Sequence, residues 1–324
     1  MIITRAPLRV TLGGGGTDIP FFSRTYGANF NTAAINQHVY ISINRIITNK
    51  IILKYSKSEK VDNVNEIKHP IIREALKEFN ISNNIEIGSF ADIRSGTGLG
   101  SSGAFTNALL YGLSKFSNKN YSKKDIAKLA SYIEIDILKE PVGVQDTYST
   151  ALGGIRYFRV TKNDSVISTN LLKNNKLLTG FFKNALLINT GVTRSASTEL
   201  EDTIMSKKNS KPVTKNLINS KEIGIKSFEL LCKNEIENYY KLIDDQWMVK
   251  LERSPSRFHK KIDGLINEMK NHGCIAAKLI GAGGGGYILA FVKNKAKIKE
   301  YLRVNKLDYF DIDIDNEGLI YFDL

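Results

Sequence analysis

Glycine is bunched in this chain rather than spread, at residues 13–16, 96–103 and 281–286. A glycine permits positive φ and carries no Cβ, so a dense run suits a loop whose own N–H groups close around an anion, though a bare turn or a close backbone crossing uses glycine too. The middle run is the most informative. Arg94-Ser95-Gly96-Thr97-Gly98-Leu99-Gly100-Ser101-Ser102-Gly103-Ala104 joins a predicted strand carrying Ile85, Ile87 and Ile93 to a predicted helix in which Ala104, Ala108, Leu109 and Leu113 recur at helical spacing. Its last hydroxyls fall at a helix N-terminus, where unsatisfied N–H groups and the positive end of the helix dipole address the same volume. No lysine precedes Ser101 as a Walker loop requires, and the third glycine comes one place too early for a dinucleotide-binding turn. The run reads as a phosphate cradle of another kind.

A chain of 324 residues has room for about two domains. With 42% hydrophobic and 24% charged residues it is neither fibrous nor disordered. No apolar run approaches the ~20 residues of a membrane span. The N-terminus lacks the layout of a signal peptide and there are only two cysteines, Cys232 and Cys274, so the expected location is the reducing cytoplasm. The net charge of +13 comes mostly from lysines scattered along the chain, whereas groove readers concentrate arginine on one element. The sign of the charge alone does not choose among nucleic acid, anionic lipid and phosphorylated metabolites; the expectation is a small-molecule partner, with neither nucleic acid nor membrane, and a homodimer is left open.

Apolar periodicity gives strands over residues 2–6, 10–12, 38–47, 51–55, 155–160 and 185–189, and helices over 66–79 and from Ser122, where Ser-Lys-Lys-Asp resembles a capping box. Residues 197–271 read as almost wholly helical, with a start signal at Ser254-Pro255. Strands at 274–280 and 287–292, a helix at 293–305 and two last strands follow. The expected fold class is α+β in two domains, 1–175 mixed α/β and 176–324 a smaller α+β unit with helices on one face of an antiparallel sheet.

Gly98-Leu99-Gly100-Ser101-Ser102-Gly103-Ala104 resembles the central phosphate-loop motif of the GHMP kinases, the superfamily of galactokinase, homoserine kinase and mevalonate kinase. Ala6-Pro7-Leu8-Arg9-Val10 leading to Gly14-Gly15-Gly16-Thr17-Asp18 is similar to the family's N-terminal substrate motif. Lys278-Leu279-Ile280-Gly281-Ala282-Gly283-Gly284-Gly285-Gly286 is similar to its C-terminal glycine motif. The resemblance implies the two-domain GHMP fold, with a ferredoxin-like C-terminal domain, and ATP-dependent phosphoryl transfer assisted by Mg²⁺. It assigns the nucleotide phosphates to Gly96, Thr97, Gly98, Leu99, Gly100, Ser101 and Ser102, and magnesium to Ser102 and Glu134, with Asp136 close enough to compete. Asp146 would receive the proton or orient the substrate oxygen, and it also suits the cap of a short helix over 147–152, two roles that are compatible. Arg9 would stabilise transition-state charge, unless it is an inter-strand salt bridge. Gly15, Gly16, Thr17, Asp18, Gly283 and Gly284 would contact the substrate, Asp18 through sugar hydroxyls.

Galactokinases carry Glu-His where this chain has glycines before Thr17. The Gly-Gly-Gly-Thr-Asp form looks most like bacterial sugar 1-kinases of the superfamily that act on the anomeric hydroxyl of D-glycero-D-manno-heptose 7-phosphate, for nucleotide-heptose and surface-polysaccharide synthesis. A substrate already phosphorylated needs cations, and Arg194, among hydroxyls at a predicted helix start, is the expected seat for its phosphate, against plain helix capping by Ser195 or Ser197. An unphosphorylated sugar such as L-fucose, and a non-catalytic sugar or nucleotide sensor, are the rival readings.

Overall fold

The computed structural model describes residues 1–191, 210–253, 257–281 and 285–324. The predicted strands 2–6 and 10–12 are one strand, β1 (Ile2–Gly13), continuous through Pro7 because the register with its neighbour shifts between Pro7 and Leu8. That neighbour, β2 (Ala28–Arg45), follows helix α1 (Pro20–Tyr26) and is long enough for two sets of partners. Residues 39–45 pair with β5 (Ile85–Ala91) and residues 28–33 with β6 (Ile155–Val160), which carries β7 (Val166–Asn170). Strands β3 (Ile51–Lys54), parallel to β5, and β4 (Ser58–Val61) finish one edge. The predicted helix 66–79 begins only at Pro70, whose ring suits the first helical position, giving α2 (Pro70–Glu78).

Helix α3 (Ser101–Phe116) lies across β1 and β2 because its Ala104, Ala108, Leu109 and Leu113 meet Leu8, Val10, Ile41 and Ile43, all buried. Gly112 permits the close approach: a Cβ there would lie 2.7 Å from Ile43 Cδ1. Helix α4 (Lys123–Ser131) has the expected capping box between Ser122 and Asp125. It runs into one π-helical turn, Tyr132–Ile137, before α5 (Gln145–Leu152).

Past the short α6 (Leu171–Asn174), strand β8 (Ala185–Asn189) begins a second sheet with β9 (Cys274–Leu279), β10 (Tyr287–Val292) and β11 (Tyr309–Asp311). The order β11-β8-β10-β9, antiparallel throughout, is that of a ferredoxin-like split βαβ unit, as expected. Helices α7 (Lys211–Cys232), α8 (Ile236–Arg253) and α9 (Arg257–Asn271) lie between β8 and β9, and α10 (Lys295–Val304) between β10 and β11. Trp247, Ile262, Ile266 and Met269 pack on Leu186, Ile288 and Ala290. Ser254-Pro255 lies outside the described residues.

Two contacts tie the units together. Gly224 of α7 sits so close to β2 that a Cβ would fall 2.1 Å from Asn29 O, and Asn31 Nδ2 donates to Gly224 O at 2.6 Å. The last strand, β12 (Ile320–Asp323), returns to pair with β1 at the edge of the first sheet. Among the described residues no helix is long and apolar enough to cross a membrane.

Candidate active site

A cavity of about 1350 Å³ opens between the two sheets, and the three glycine segments meet on its wall. In the middle segment Gly96, Gly98 and Gly100 stand at φ 80°, 78° and 76°, a region that L side chains rarely adopt. Gly100 is the N-cap of α3 and supplies no side chain, so the first-turn N–H groups have no capping side chain. Gly96, Gly98, Gly100, Ser101 and Ser102 line the cavity. Leu99 is fully buried and its carbonyl accepts from Arg9 N–H at 2.9 Å, while Thr97 Oγ1 donates back to Arg94 O at 3.2 Å; these two shape the loop.

The third segment braces the second from behind. A Cβ on Gly98 would lie 2.8 Å from Gly281 Cα, and one on Gly286 would lie 2.0 Å from Thr97 O. These glycines exist for backbone-to-backbone contact. Gly283, Gly284 and Arg194 lie outside the described residues.

Arg9 joins the loop to the base candidate. Its Nη1 donates to Gly98 O at 2.6 Å, and Nε and Nη2 donate to Asp146 Oδ1 at 2.8 and 2.5 Å. Arg9 is 5% exposed, and the guanidinium fork reaches a loop carbonyl and a carboxylate at once, which a simple inter-strand bridge would not do. Asp146 lies in the first turn of α5, whose N-cap is Val144, so it does not cap that helix. Its Oδ2 has no hydrogen-bond partner among the described residues, and the side chain, 30% exposed, lines the cavity. One carboxylate oxygen is thus anchored and the other is available.

Glu134 comes to Ser102 through the π-helical turn, which rotates it inward. Its Oε1 accepts from Thr106 Oγ1 at 2.5 Å and from Ser102 Oγ at 3.4 Å. Burial, opposed by those hydroxyls, pushes the Glu134 carboxyl up to about 7. Asp136 faces outward to Arg24 at 3.5 Å, so of the two carboxylates Glu134 is the one that stands beside Ser102. A buried carboxylate beside a serine hydroxyl is a donor set of hard oxygens short of a cation, and it fits magnesium, which takes the rest of its shell from phosphates and water.

Asp18 follows the turn at residues 14–17, which Thr17 holds by donating from Oγ1 to Gly14 O at 2.8 Å; Thr17 itself is fully buried. Asp18 Oδ2 accepts from Gln145 N–H at 2.8 Å, beside Gly143, where a Cβ would lie 2.1 Å away. Burial raises the Asp18 pKa from 3.8 to about 6. The folded state therefore holds a proton that the unfolded chain releases between about pH 4 and 6, and ionised Asp18 costs stability above that window. Asp18→Asn, which keeps an acceptor for Gln145, is expected to raise unfolding free energy at pH 8 by about 2–3 kcal/mol. The gain should vanish near pH 4. Urea titrations at the two pH values check it, and an unchanged midpoint at pH 8 would deny that burial sets this carboxyl.

Other wall residues were not singled out as site residues in the sequence. Gln145 Nε2 donates to Thr11 Oγ1 at 2.7 Å, and Tyr55, His69 and Phe105 form an aromatic wall, His69 stacked on Phe105 with centroids 5.1 Å apart. Gln246, Lys250 and Arg253 enter from α8 and Lys278 from β9. The signal was present in part, since polar residues at i, i+4 and i+7 on a helix share a face.

An anion cradle at a helix start, with an arginine-anchored carboxylate at its mouth and a second carboxylate next in line, defines a phosphotransferase acting on a small hydroxylic molecule. Residues 65–154 match the model of the GHMP kinases N terminal domain and residues 227–306 that of the GHMP kinases C terminal. The chain belongs to the GHMP kinase family and is an ATP-dependent phosphotransferase. It is similar to D-glycero-alpha-D-manno-heptose 7-phosphate kinase of Campylobacter jejuni, 24% identical and covering 98% of each chain. It is also similar to the galactokinase of Thermotoga petrophila, 24% identical over 96% of this chain and 95% of that one. In fold it resembles the crystal structure of a D-glycero-D-manno-heptose 1-phosphate kinase from Bacteriodes thetaiotaomicron, with TM-score 0.79 and 19% identity over 100% of this chain and 99% of that one.

Proposed function

We propose that the chain transfers the terminal phosphoryl group of ATP to the anomeric hydroxyl of D-glycero-D-manno-heptose 7-phosphate, giving the 1,7-bisphosphate. The observation that carries the reading is the adjacency of two carboxylates with different tasks. Asp18 is held by the backbone N–H of Gln145, and the next residue is Asp146 with its free Oδ2. A polyol gripped by Asp18 then has a hydroxyl within reach of Asp146. The absence of Glu-His before Thr17 speaks against galactose, and the full-length similarity to a heptose 7-phosphate kinase supports the heptose.

In the reaction the sugar oxygen forms a bond to the terminal phosphorus as the bond to the bridging oxygen breaks, ADP leaves, and the hydroxyl proton passes to Asp146 Oδ2. An anomeric hydroxyl is more acidic than an ordinary alcohol, so a carboxylate base suffices. Arg9 orients Asp146 and offers positive charge where charge builds on the transferred group. Ser102 and Glu134 would hold Mg²⁺, which supplies charge neutralisation at the nucleotide phosphates. The N–H groups at the start of α3 and of residues 96–100 receive the phosphate oxygens.

A panel of heptose 7-phosphate, mannose 6-phosphate, free mannose, galactose and L-fucose, scored by ADP release and by which hydroxyl gains phosphorus, tests the reading. Heptose 7-phosphate is expected to exceed the free sugars by about 100-fold in kcat/KM, the worth of one well-paired phosphate. L-fucose outranking it would transfer the assignment to the unphosphorylated-sugar kinases, and no ADP release with any of them would point to a sensor.

A further inference from the structure

The cavity holds more positive charge than the reaction needs. Gln246, Lys250 and Arg253 follow one face of α8, and Lys278 projects from β9 beside them. Lys250 Nζ donates to Leu279 O at 3.0 Å and to Gly281 O at 2.5 Å, and Lys278 Nζ donates to Gln246 Oε1, whose amide in turn donates to Leu12 O at 2.9 Å. These partners are all neutral oxygens. Among the described residues none of the three cations has a carboxylate in an ion pair, although the wall also carries Asp18 and Asp146. Arg253 reaches the other glycine segment: its Nη1 is 2.7 Å from where a Cβ on Gly16 would lie.

Three cations gathered in one cavity without a counter-charge, Lys278 buried and Lys250 and Arg253 half-buried, are costly unless a ligand completes them. Burial pushes Lys278 down to about 7 and Arg253 to about 10. Lys250 lies well below its ordinary value, by burial first and then by repulsion from Arg253, Lys278 and Arg9. The nucleotide phosphates already have a cradle at the start of α3, against which Gly281, an acceptor of Lys250, packs at Gly98. The cations instead stand on α8 and β9, with Arg253 next to the loop that leads into Asp18. We infer that Lys250, Arg253 and Lys278 form the seat of the ester phosphate of the sugar substrate. The expected seat at Arg194 lies outside the described residues, and the three cations supply charge-assisted donors for a dianion without it. This inference rests on the proposed sugar-phosphate substrate and names the residues that would select it.

The test compares wild type with Arg253→Met and Lys278→Met, each removing one cation while keeping most of the apolar stem. Steady-state kinetics use heptose 7-phosphate, free mannose and ATP in turn. For Arg253→Met the KM for heptose 7-phosphate is expected to rise about 30-fold, as for loss of one charge-assisted pair, with kcat within about threefold and the KM for ATP within about twofold. Arg253→Lys should recover part of the loss. Lys278→Met, which relieves a buried charge, is expected to melt no lower than wild type and to show the same KM pattern, so a folding defect in one variant does not hide the result. A wild type that prefers the phosphorylated sugar, with variants that keep the preference, overturns the seat and leaves the substrate standing. A wild type indifferent to the sugar's phosphate overturns the substrate and this occupant together. A rise in the KM for ATP alone gives the cluster to the nucleotide and overturns the inference.

Discussion

Asp146→Asn is expected to lower kcat by about a thousandfold while the dissociation constant for ADP changes less than about twofold. A general base contributes on the order of 10²–10⁴ in rate, and asparagine preserves shape but has no oxygen that takes a proton at neutral pH. The proposed nucleotide contacts lie in residues 96–102, which Asp146 meets by packing at the start of α3: the places where Cβ atoms on Gly100 and Gly103 would sit are 3.4 and 2.8 Å from Asp146 side-chain atoms. An isosteric residue leaves that packing intact, so chemistry and binding separate. Single-turnover rates with a saturating sugar phosphate, beside ADP titration calorimetry, read the two quantities independently. Turnover within tenfold of wild type would remove Asp146 from proton transfer.

Arg9→Lys is the second large effect, with kcat expected to fall by about 10²–10³ and, unlike Asp146→Asn, the KM for ATP expected to rise as well. Arg9 uses three nitrogens, two on Asp146 Oδ1 and one on Gly98 O. A lysine ammonium is one point charge on a flexible stem and cannot hold a carboxylate and a loop carbonyl in a fixed fork. Either Asp146 loses its orientation or the phosphate loop loses its tether. Because both residues act on one step, the double variant should be little worse than the poorer single one. Additive losses in that cycle would mean that the two residues work separately.

The local parts of this site were legible in the sequence because their causes are local. Gly96, Gly98 and Gly100 need positive φ, and the apolar spacing after Ser102 announces α3. The Ser122–Asp125 capping box is likewise contained within four residues. Strand and helix ends shifted where a neighbour decided them: Pro70 delayed α2, and pairing with β2 carried β1 straight through Pro7. Which of Glu134 and Asp136 faces Ser102 depended on the π-helical turn, and no periodicity argument anticipates one inserted residue in a helix. The capping role open to Asp146 in the sequence is removed by the structure, where α5 begins two residues before the expected Thr147 and has Val144 as its N-cap.

What residue order determined by itself was the set of backbone shapes: three glycine segments, each tied to a strand or helix end, and with them the phosphate cradle and the split βαβ order of elements. Only tertiary structure decided which charges meet. Arg9, Gly98 and Asp146 come from three separate elements, and Lys250, Arg253 and Lys278 from a helix and a strand, yet all of them line one cavity. Backbone conformation is governed by sterics within a few residues, whereas the energy of a buried charge depends on everything that surrounds it in space.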